Sequence, residues 1–294
     1  MNKSNRIAVL GGDERQSRIA EIFAADGKKV RVYGISEDIC GVTKCDSAKG
    51  AVDGCGVVIF PLPAVKNGTY LNEKSGSLTP IEAILDSIGS DAEIYAGRAD
   101  AAFREQCRAR GLTLTDYYDS ESLTVKNAHL TAEGALHIYM TEKKTAVAGS
   151  RILVLGSGRV AKCVARVFYA IGAEVTVMAR NKGELAMAEV TGHRSADLTD
   201  GRTRLAQFAS GYDAIVNTVP VMFMTGCCLS VIPEETLVID LASVPYGIDV
   251  VEARRLGINA IRATSLPGKY APESAARIIA DEIAERMRYS GGAR

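Results

Sequence analysis

The sequence predicts an α/β protein with two doubly wound parallel sheets, and three observations carry that expectation. Residues 151–180 read as strand, glycine turn, helix and strand. The N-terminal third repeats the same alternation of short apolar runs and helical stretches. Helical patterns at 127–144 and 272–288 then separate and close the two parts.

The glycine turn is the most informative stretch. Arg151-Ile152-Leu153-Val154-Leu155 is apolar and rich in β-branched residues, breaks at Gly156-Ser157-Gly158-Arg159-Val160-Ala161, and resumes with Val164, Phe168 and Ile171 at helical spacing. A second strand, Glu174-Val175-Thr176-Val177-Met178, follows. Together these make the G-x-G-x-x-A fingerprint of a Rossmann dinucleotide site. Gly156 permits the tight turn, and Gly158 lets a pyrophosphate approach unpaired N–H groups at a helix N-terminus. Gly156, Ser157, Gly158, Arg159 and Val160 are therefore candidate cofactor contacts. NAD enzymes place an acid about 20 residues on to hold the ribose 2′-OH. Here Arg180, Asn181 and Lys182 stand instead, and Arg180 with Lys182 suits a 2′-phosphate; NADP(H) is expected.

In chain order, the first domain opens with a strand at 7–10, a Gly11-Gly12-Asp13 turn and a helix at 17–25 carrying Ile19, Ile22 and Phe23. Asp13 reads as the helix N-cap. This turn lacks a third glycine and has acids at the helix start, so the first domain is not expected to hold the cofactor. Strands are expected at 30–33, 57–60, 93–96 and 112–114, with a helix over 101–110. Residues 63–80, with Asn67-Gly68 and Ser75-Gly76-Ser77, read as a long loop, either a lid, a partner surface or a plain insertion. Leu136, Tyr139 and Met140 give the helix over 127–144 an apolar stripe. Further strands are expected at 213–217, 237–240 and 258–261. The last helix starts at Pro272, suited to position N1, and presents Ala276, Ile279, Ile283 and Met287 on one face. The expected fold is thus two doubly wound Rossmann-like domains joined by a linker helix, with the C-terminal helix returning to the first domain. The boundaries are 1–126 (substrate domain), 127–149 (linker helix), 150–268 (NADP-binding domain) and 269–294 (C-terminal helix).

Composition narrows the function. The 294 residues carry 35 Lys+Arg and 35 Asp+Glu without a basic block, which argues against nucleic-acid binding. No apolar run reaches membrane-spanning length, and the first strand begins too early to leave room for a signal peptide; a cytoplasmic protein is expected. The seven cysteines contain no C-x-x-C pair and read as small buried thiols. His129, His137 and His193 have no second ligand at metal spacing, so no metal site is expected, and no His–acid pair for carbonyl chemistry stands out.

Several segments taken together resemble one family. They are Gly11-Gly12-Asp13-x-Arg15-Gln16, Asn127 with Thr131-x-Glu133-Gly134, Gly156-x-Gly158-Arg159, Asn217-Thr218-x-Pro220, Asp240-Leu241-Ala242-Ser243 and Leu266-Pro267-Gly268-x-x-Ala271-Pro272. In this order they are similar to the A subunit of dipicolinate synthase from spore-forming bacteria. The opening and closing motifs are the specific ones. The resemblance implies NADP⁺-dependent oxidation of a dihydrodipicolinate-type ring during sporulation, in the mother-cell cytoplasm, beside a flavoprotein-like B subunit. Self-association is also expected. Val244 and Tyr246 depart from the pattern, standing where a basic residue and a glycine are expected, and His129-Leu130 replaces an apolar residue and proline.

Oxidising a flat dicarboxylate ring requires that hydride and a proton leave and that two negative charges be held. Arg15 can clamp a carboxylate with Gln16 assisting, and an arginine at a helix start opposes the helix dipole unless an anion is present. The competing reading is a surface arginine. Asn127 and Thr131 are further candidate substrate contacts. Glu133 can accept the proton, or can stabilise a helix start capped by Thr131. Ser243 and Lys269 are candidate catalytic contacts against a turn serine and an exposed lysine. Asn217, Thr218, Val219, Pro220 and Ala242 are expected along the nicotinamide ribose. Two other functions stay open: an NADP-dependent dehydrogenase of 2-oxo or 2-hydroxy acids, and a non-catalytic NADP(H)-binding scaffold.

Overall fold

The structure is a computed structural model that describes residues 5–74, 76, 78–199, 205 and 209–292. The chain divides into two compact units, one of Met1–Lys126 with Ala271–Arg294 and one of Asn127–Tyr270.

The first unit holds β1 (Arg6–Leu10), α1 (Glu14–Ala25), β2 (Lys29–Tyr33), β3 (Val42–Lys44), α2 (Ala48–Val52), β4 (Val57–Ile59), β5 (Val65–Lys66), β6 (Tyr70–Leu71), α3 (Ile81–Leu85), β7 (Glu93–Ala96), α4 (Ala101–Ala109) and β8 (Thr113–Asp116). The helix α5 (Glu121–Lys143) begins in this unit and continues into the second. There follow β9 (Arg151–Leu155), α6 (Arg159–Ala170), β10 (Glu174–Ala179), α7 (Lys182–Val190), β11 (Arg194–Asp197), β12 (Ala214–Asn217), α8 (Gly226–Leu229), β13 (Leu237–Asp240), α9 (Val250–Arg255), β14 (Ala260–Arg262) and α10 (Leu266–Tyr270). The chain ends in α11 (Pro272–Gly292), back in the first unit.

Both six-stranded sheets are parallel and share one topology. Their orders are β3-β2-β1-β4-β7-β8 and β11-β10-β9-β12-β13-β14. Numbered within each sheet, both read 3-2-1-4-5-6, with a switch point between the first and fourth strands. Strands covered on both faces must be apolar throughout, and Ile152, Leu153, Val154 and Leu155 of β9 are each fully buried.

The last helix packs as its periodicity requires. Ala276, Ile279, Ala280 and Ile283 of α11 are buried in one cluster with Ile19, Ala20 and Phe23 of α1. Each buried isoleucine stabilises this contact by about 2 kcal/mol.

Two segments differ from the sequence expectation. α5 starts at Glu121, so Thr131 lies inside the helix, where its hydroxyl donates to Asn127 O at 2.9 Å and caps nothing. The stretch 63–80 contains the antiparallel hairpin β5–β6, turned at Asn67 and Gly68, both with positive φ. Ser75 and Ser77 lie outside the described residues. Leu71 of this hairpin is buried, and Asn72 O accepts from Gly12 N at 2.7 Å. A Cβ on Gly11 would stand 2.6 Å from that same oxygen, and one on Gly12 would stand 2.2 Å from Gln16 Cγ. The first sheet's switch point is thus filled by its own chain, which leaves no cradle there for a pyrophosphate.

Among the described residues no helix is long and apolar enough to cross a membrane. All seven cysteines are free, and the expectation of buried thiols holds for Cys55, Cys107 and Cys228 only, since Cys45 and Cys163 are half-buried and Cys40 and Cys227 are exposed.

Candidate functional site

The second sheet's switch point is open. After Leu155 the chain turns at Gly156, whose φ of 107° lies where glycine is favoured. A Cβ there would stand 2.4 Å from Thr218 Oγ1, so the turn admits only glycine. Thr218 closes the other side, its N–H and hydroxyl both donating to Leu155 O, at 3.0 and 2.7 Å. Gly158 caps the N-terminus of α6 with an ordinary φ of −74°, and nothing lies within 4 Å of a Cβ built on it. Its missing side chain therefore leaves space through which an anion can reach the first N–H groups of α6.

A cavity of about 450 Å³ lies over this turn. It is lined by Gly156, Ser157, Gly158, Arg159, Val160, Arg180, Asn181, Thr218, Val219 and Pro220, together with Ala179 and Leu198. The last two were not singled out from sequence, since an alanine and a leucine at strand ends carry no chemical signal. Arg180 follows β10 directly and is exposed, with no acid at that strand end. Asn181 caps α7, its Oδ1 accepting from Gly183 N at 2.8 Å and Glu184 N at 3.1 Å, and this fixes the backbone beside Arg180. Lys182 opens α7 and is exposed but does not line the cavity. The size and the glycine cradle fit a dinucleotide.

Asn217 and Ala242 also lie off the cavity wall. Asn217 is fully buried at the end of β12, its Oδ1 accepting from Val219 N (3.1 Å) while its Nδ2 donates to Val219 O (3.1 Å) and to Asp240 Oδ1 (2.8 Å). It shapes the turn that Val219 presents to the cavity. Asp240, equally buried, accepts also from Ala242 N at 3.2 Å, Gly247 N at 3.2 Å and Ile248 N at 3.3 Å. One carboxylate thereby ties the ends of β12 and β13 to the loop that carries Ser243. Ser243 is exposed, and its carbonyl accepts from Tyr246 N at 2.7 Å. Tyr246 has φ 68°, a left-handed backbone that a glycine would adopt at less cost.

On α5, Asn127 is half-buried and Glu133 is exposed. Glu133 Oε1 stands 3.4 Å from His129 Nε2, one helical turn away. Sequence reading passed over this i,i+4 His–acid pair, although its spacing was visible. Gly134 has a packing reason: a Cβ there would stand 2.7 Å from Leu266 Cβ, so α5 and α10 touch through it. Lys269 lies exposed on α10, and the adjacent Tyr270 ring sits 4.4 Å from His137.

Arg15 and Gln16 sit in the first unit. Arg15 is buried and already engaged: Nε and Nη2 donate to the two Asp13 oxygens at 2.8 Å each, and Nη2 donates also to Leu62 O at 2.9 Å. Only Nη1 is left to meet a ligand. Gln16 is buried and donates to Leu10 O at 3.2 Å. Burial pushes the Asp13 carboxyl up, but the bonds and charge of Arg15 outweigh it and hold it below the ordinary 3.8. A carboxyl lowered on folding stabilises fully above its unfolded value, and that contribution is lost as pH falls through the folded one. Asp13→Asn is therefore expected to flatten the acid limb of stability below about pH 4, read from urea midpoints between about pH 6 and pH 3. An acid limb as steep as the parent's would mean that Asp13 does not contribute there.

The N-terminal residues 6–118 match the family described as the N-terminal domain of the dipicolinate synthase A subunit. The whole chain is similar to the dipicolinate synthase A subunit of Bacillus subtilis (strain 168), 28% identical over 291 residues, which is 96% of this chain and 95% of that one. Among solved structures it is similar to the dipicolinate synthase A subunit from Bacillus halodurans, with TM-score 0.85 and 27% identity over 96% of this chain and 97% of that one. A transhydrogenase from Sinorhizobium meliloti shares the fold, with TM-score 0.71 and 14% identity over 97% and 94% of the two chains.

Proposed function

From the premise that the chain carries the N-terminal domain of the dipicolinate synthase A subunit and resembles that protein over its whole length, we propose that it oxidises dihydrodipicolinate to dipicolinate. The observation that carries this reading is the open glycine turn at the switch point of the second sheet, with Arg180 on the cavity wall where the end of β10 carries no acid of its own. NADP⁺ bound there would supply the hydride acceptor for the ring, and a separate proton would be lost to a base as the ring becomes aromatic.

The chain's own residues do the rest. Gly156 and Gly158 admit the pyrophosphate to the N-terminus of α6, while Arg180, aided by Lys182, holds the 2′-phosphate. Ser157, Arg159, Val160, Thr218, Val219 and Pro220 complete the cofactor wall. Glu133 is the proton acceptor in this reading, taking the proton at Oε1 beside His129. Arg15 offers a carboxylate Nη1, the part of its fork that Asp13 leaves open. Gln16, Asn127, Thr131, Ser243 and Lys269 remain substrate-side contacts of the proposal. The reading includes one partner, a flavoprotein-like B subunit, together with self-association of this chain and a place in the mother-cell cytoplasm of a spore former.

One observation favours a second reading. The His129–Glu133 pair is the acid–base couple that a 2-hydroxy acid dehydrogenase would use on a carbinol.

An absorbance assay with freshly made dihydrodipicolinate, with and without the B-type partner, tests both. Dipicolinate and NADPH are expected to appear in equal amounts, faster than NADH forms from NAD⁺. Arg180→Asp is expected to weaken NADP(H) by about 10- to 100-fold while leaving NAD(H) nearly unchanged, as loss of a charge-assisted phosphate contact requires. Turnover of 2-hydroxy acids in place of dihydrodipicolinate would move the second reading to the front.

A further inference from the structure

We propose that Arg262, stacked on Tyr246, anchors one carboxylate of the substrate in the second unit; this deepens the dicarboxylate reading above and rests on it. Arg262 is the last residue of β14 and pairs in register with Asp240 at the end of β13. Both stand at carboxyl ends of parallel strands, where open α/β sheets hold their ligands. The guanidinium carbon lies 4.0 Å from the centroid of the Tyr246 ring. Nη2 donates to Ile248 O at 2.9 Å, which fixes the plane of the group. Nε is buried and has no hydrogen-bond partner.

This is an unusual way to keep a permanent cation. A guanidinium does not lose its proton in a protein, and a buried N–H without an acceptor is costly. Asp240 is the acid in register with it, but its two oxygens already accept from Asn217 Nδ2 and the N–H groups of Ala242, Gly247 and Ile248. Among the described residues no carboxylate lies within ion-pair distance of Arg262. The chain also keeps a bulky side chain at the left-handed φ of Tyr246, and that strained residue supplies the ring beneath the guanidinium. Nη2 is held by Ile248 O and Nε is closed off by burial, so Nη1 of this ring-braced planar group is the donor that a carboxylate from outside the chain can reach. The loop that braces it shares Asp240 and Asn217 with the cavity-lining turn at Val219, so anchor and cofactor site belong to one hydrogen-bonded frame.

The experiment is calorimetric titration of the NADP⁺-loaded full chain with pyridine-2,6-dicarboxylate and, separately, pyridine-2-carboxylate. The parent is expected to bind the diacid more tightly than the monoacid. Arg262→Gln is expected to weaken the diacid at least tenfold and to erase that preference, with NADP⁺ affinity and melting temperature held. Tyr246→Gly relieves the left-handed φ, so it is expected to fold at least as well as the parent yet to bind the diacid several-fold more weakly. In turnover, Arg262→Gln should raise KM for dihydrodipicolinate more than it lowers kcat. A diacid affinity unchanged in both variants would make Arg262 a brace for the Ile248 loop and overturn the assignment alone. A parent that binds neither acid would overturn the dicarboxylate reading together with it.

Discussion

Gly156→Ala is expected to destabilise the second unit by about 2–5 kcal/mol and to abolish dinucleotide binding. The methyl would stand 2.4 Å from Thr218 Oγ1 and 3.2 Å from Val219 Cγ2, and Thr218 cannot retreat without breaking its 2.7 Å bond to Leu155 O. A φ of 107° adds backbone strain for any L residue. Gly158→Ala supplies the contrast, because it adds the same methyl two residues on, where φ is −74° and no atom lies within 4 Å. That variant should lose under about 1 kcal/mol of stability, an N-cap effect, and yet bind NADPH at least about tenfold more weakly. Urea midpoints and NADPH fluorescence titrations on the two proteins separate the effects. If Gly158→Ala binds NADPH as the parent does, the space above that residue is not where the pyrophosphate lies.

Asp240→Ala is expected to cost about 3–5 kcal/mol, the second large effect. Removing the carboxylate leaves the N–H groups of Ala242, Gly247 and Ile248 without their acceptor inside a fully buried site. A buried donor stripped of its partner costs about 1–3 kcal/mol. Asn217 would keep its bonds to Val219 but lose the one that sets its own position. NADPH binding should weaken along with stability, since Val219 lines the cavity. Asp240→Asn keeps the volume and exchanges one acceptor for a donor, so an intermediate loss is expected. A urea midpoint within about 0.5 kcal/mol of the parent for Asp240→Ala would show that water replaces the carboxylate at no cost and that the Asp240 frame is dispensable.

By itself the sequence determined the two α/β halves, the glycine turn at Gly156 and the apolar face of the last helix. Each rests on local physics: a left-handed turn needs glycine at a given position, and the helical spacing of Ala276, Ile279, Ile283 and Met287 states which face must be covered. It also held signals that were present but short. Asn67-Gly68 is a hairpin turn, yet strands of two residues on either side give no periodicity to read. Only the tertiary structure decided what those segments meet. Arg15 at a helix start looks available to an anion until Asp13 and Leu62 O are seen to occupy most of its fork. Gly134 and Leu266 lie in separate motifs and acquire a common reason only where α5 and α10 touch. Asp240 draws its donors from Asn217 and from residues 242, 247 and 248, and Arg262 finds Tyr246 across two strand ends. Periodicity reports how much of a segment is buried. The partner of a buried polar atom is set by strand order and register, and these exist only once the sheets have formed.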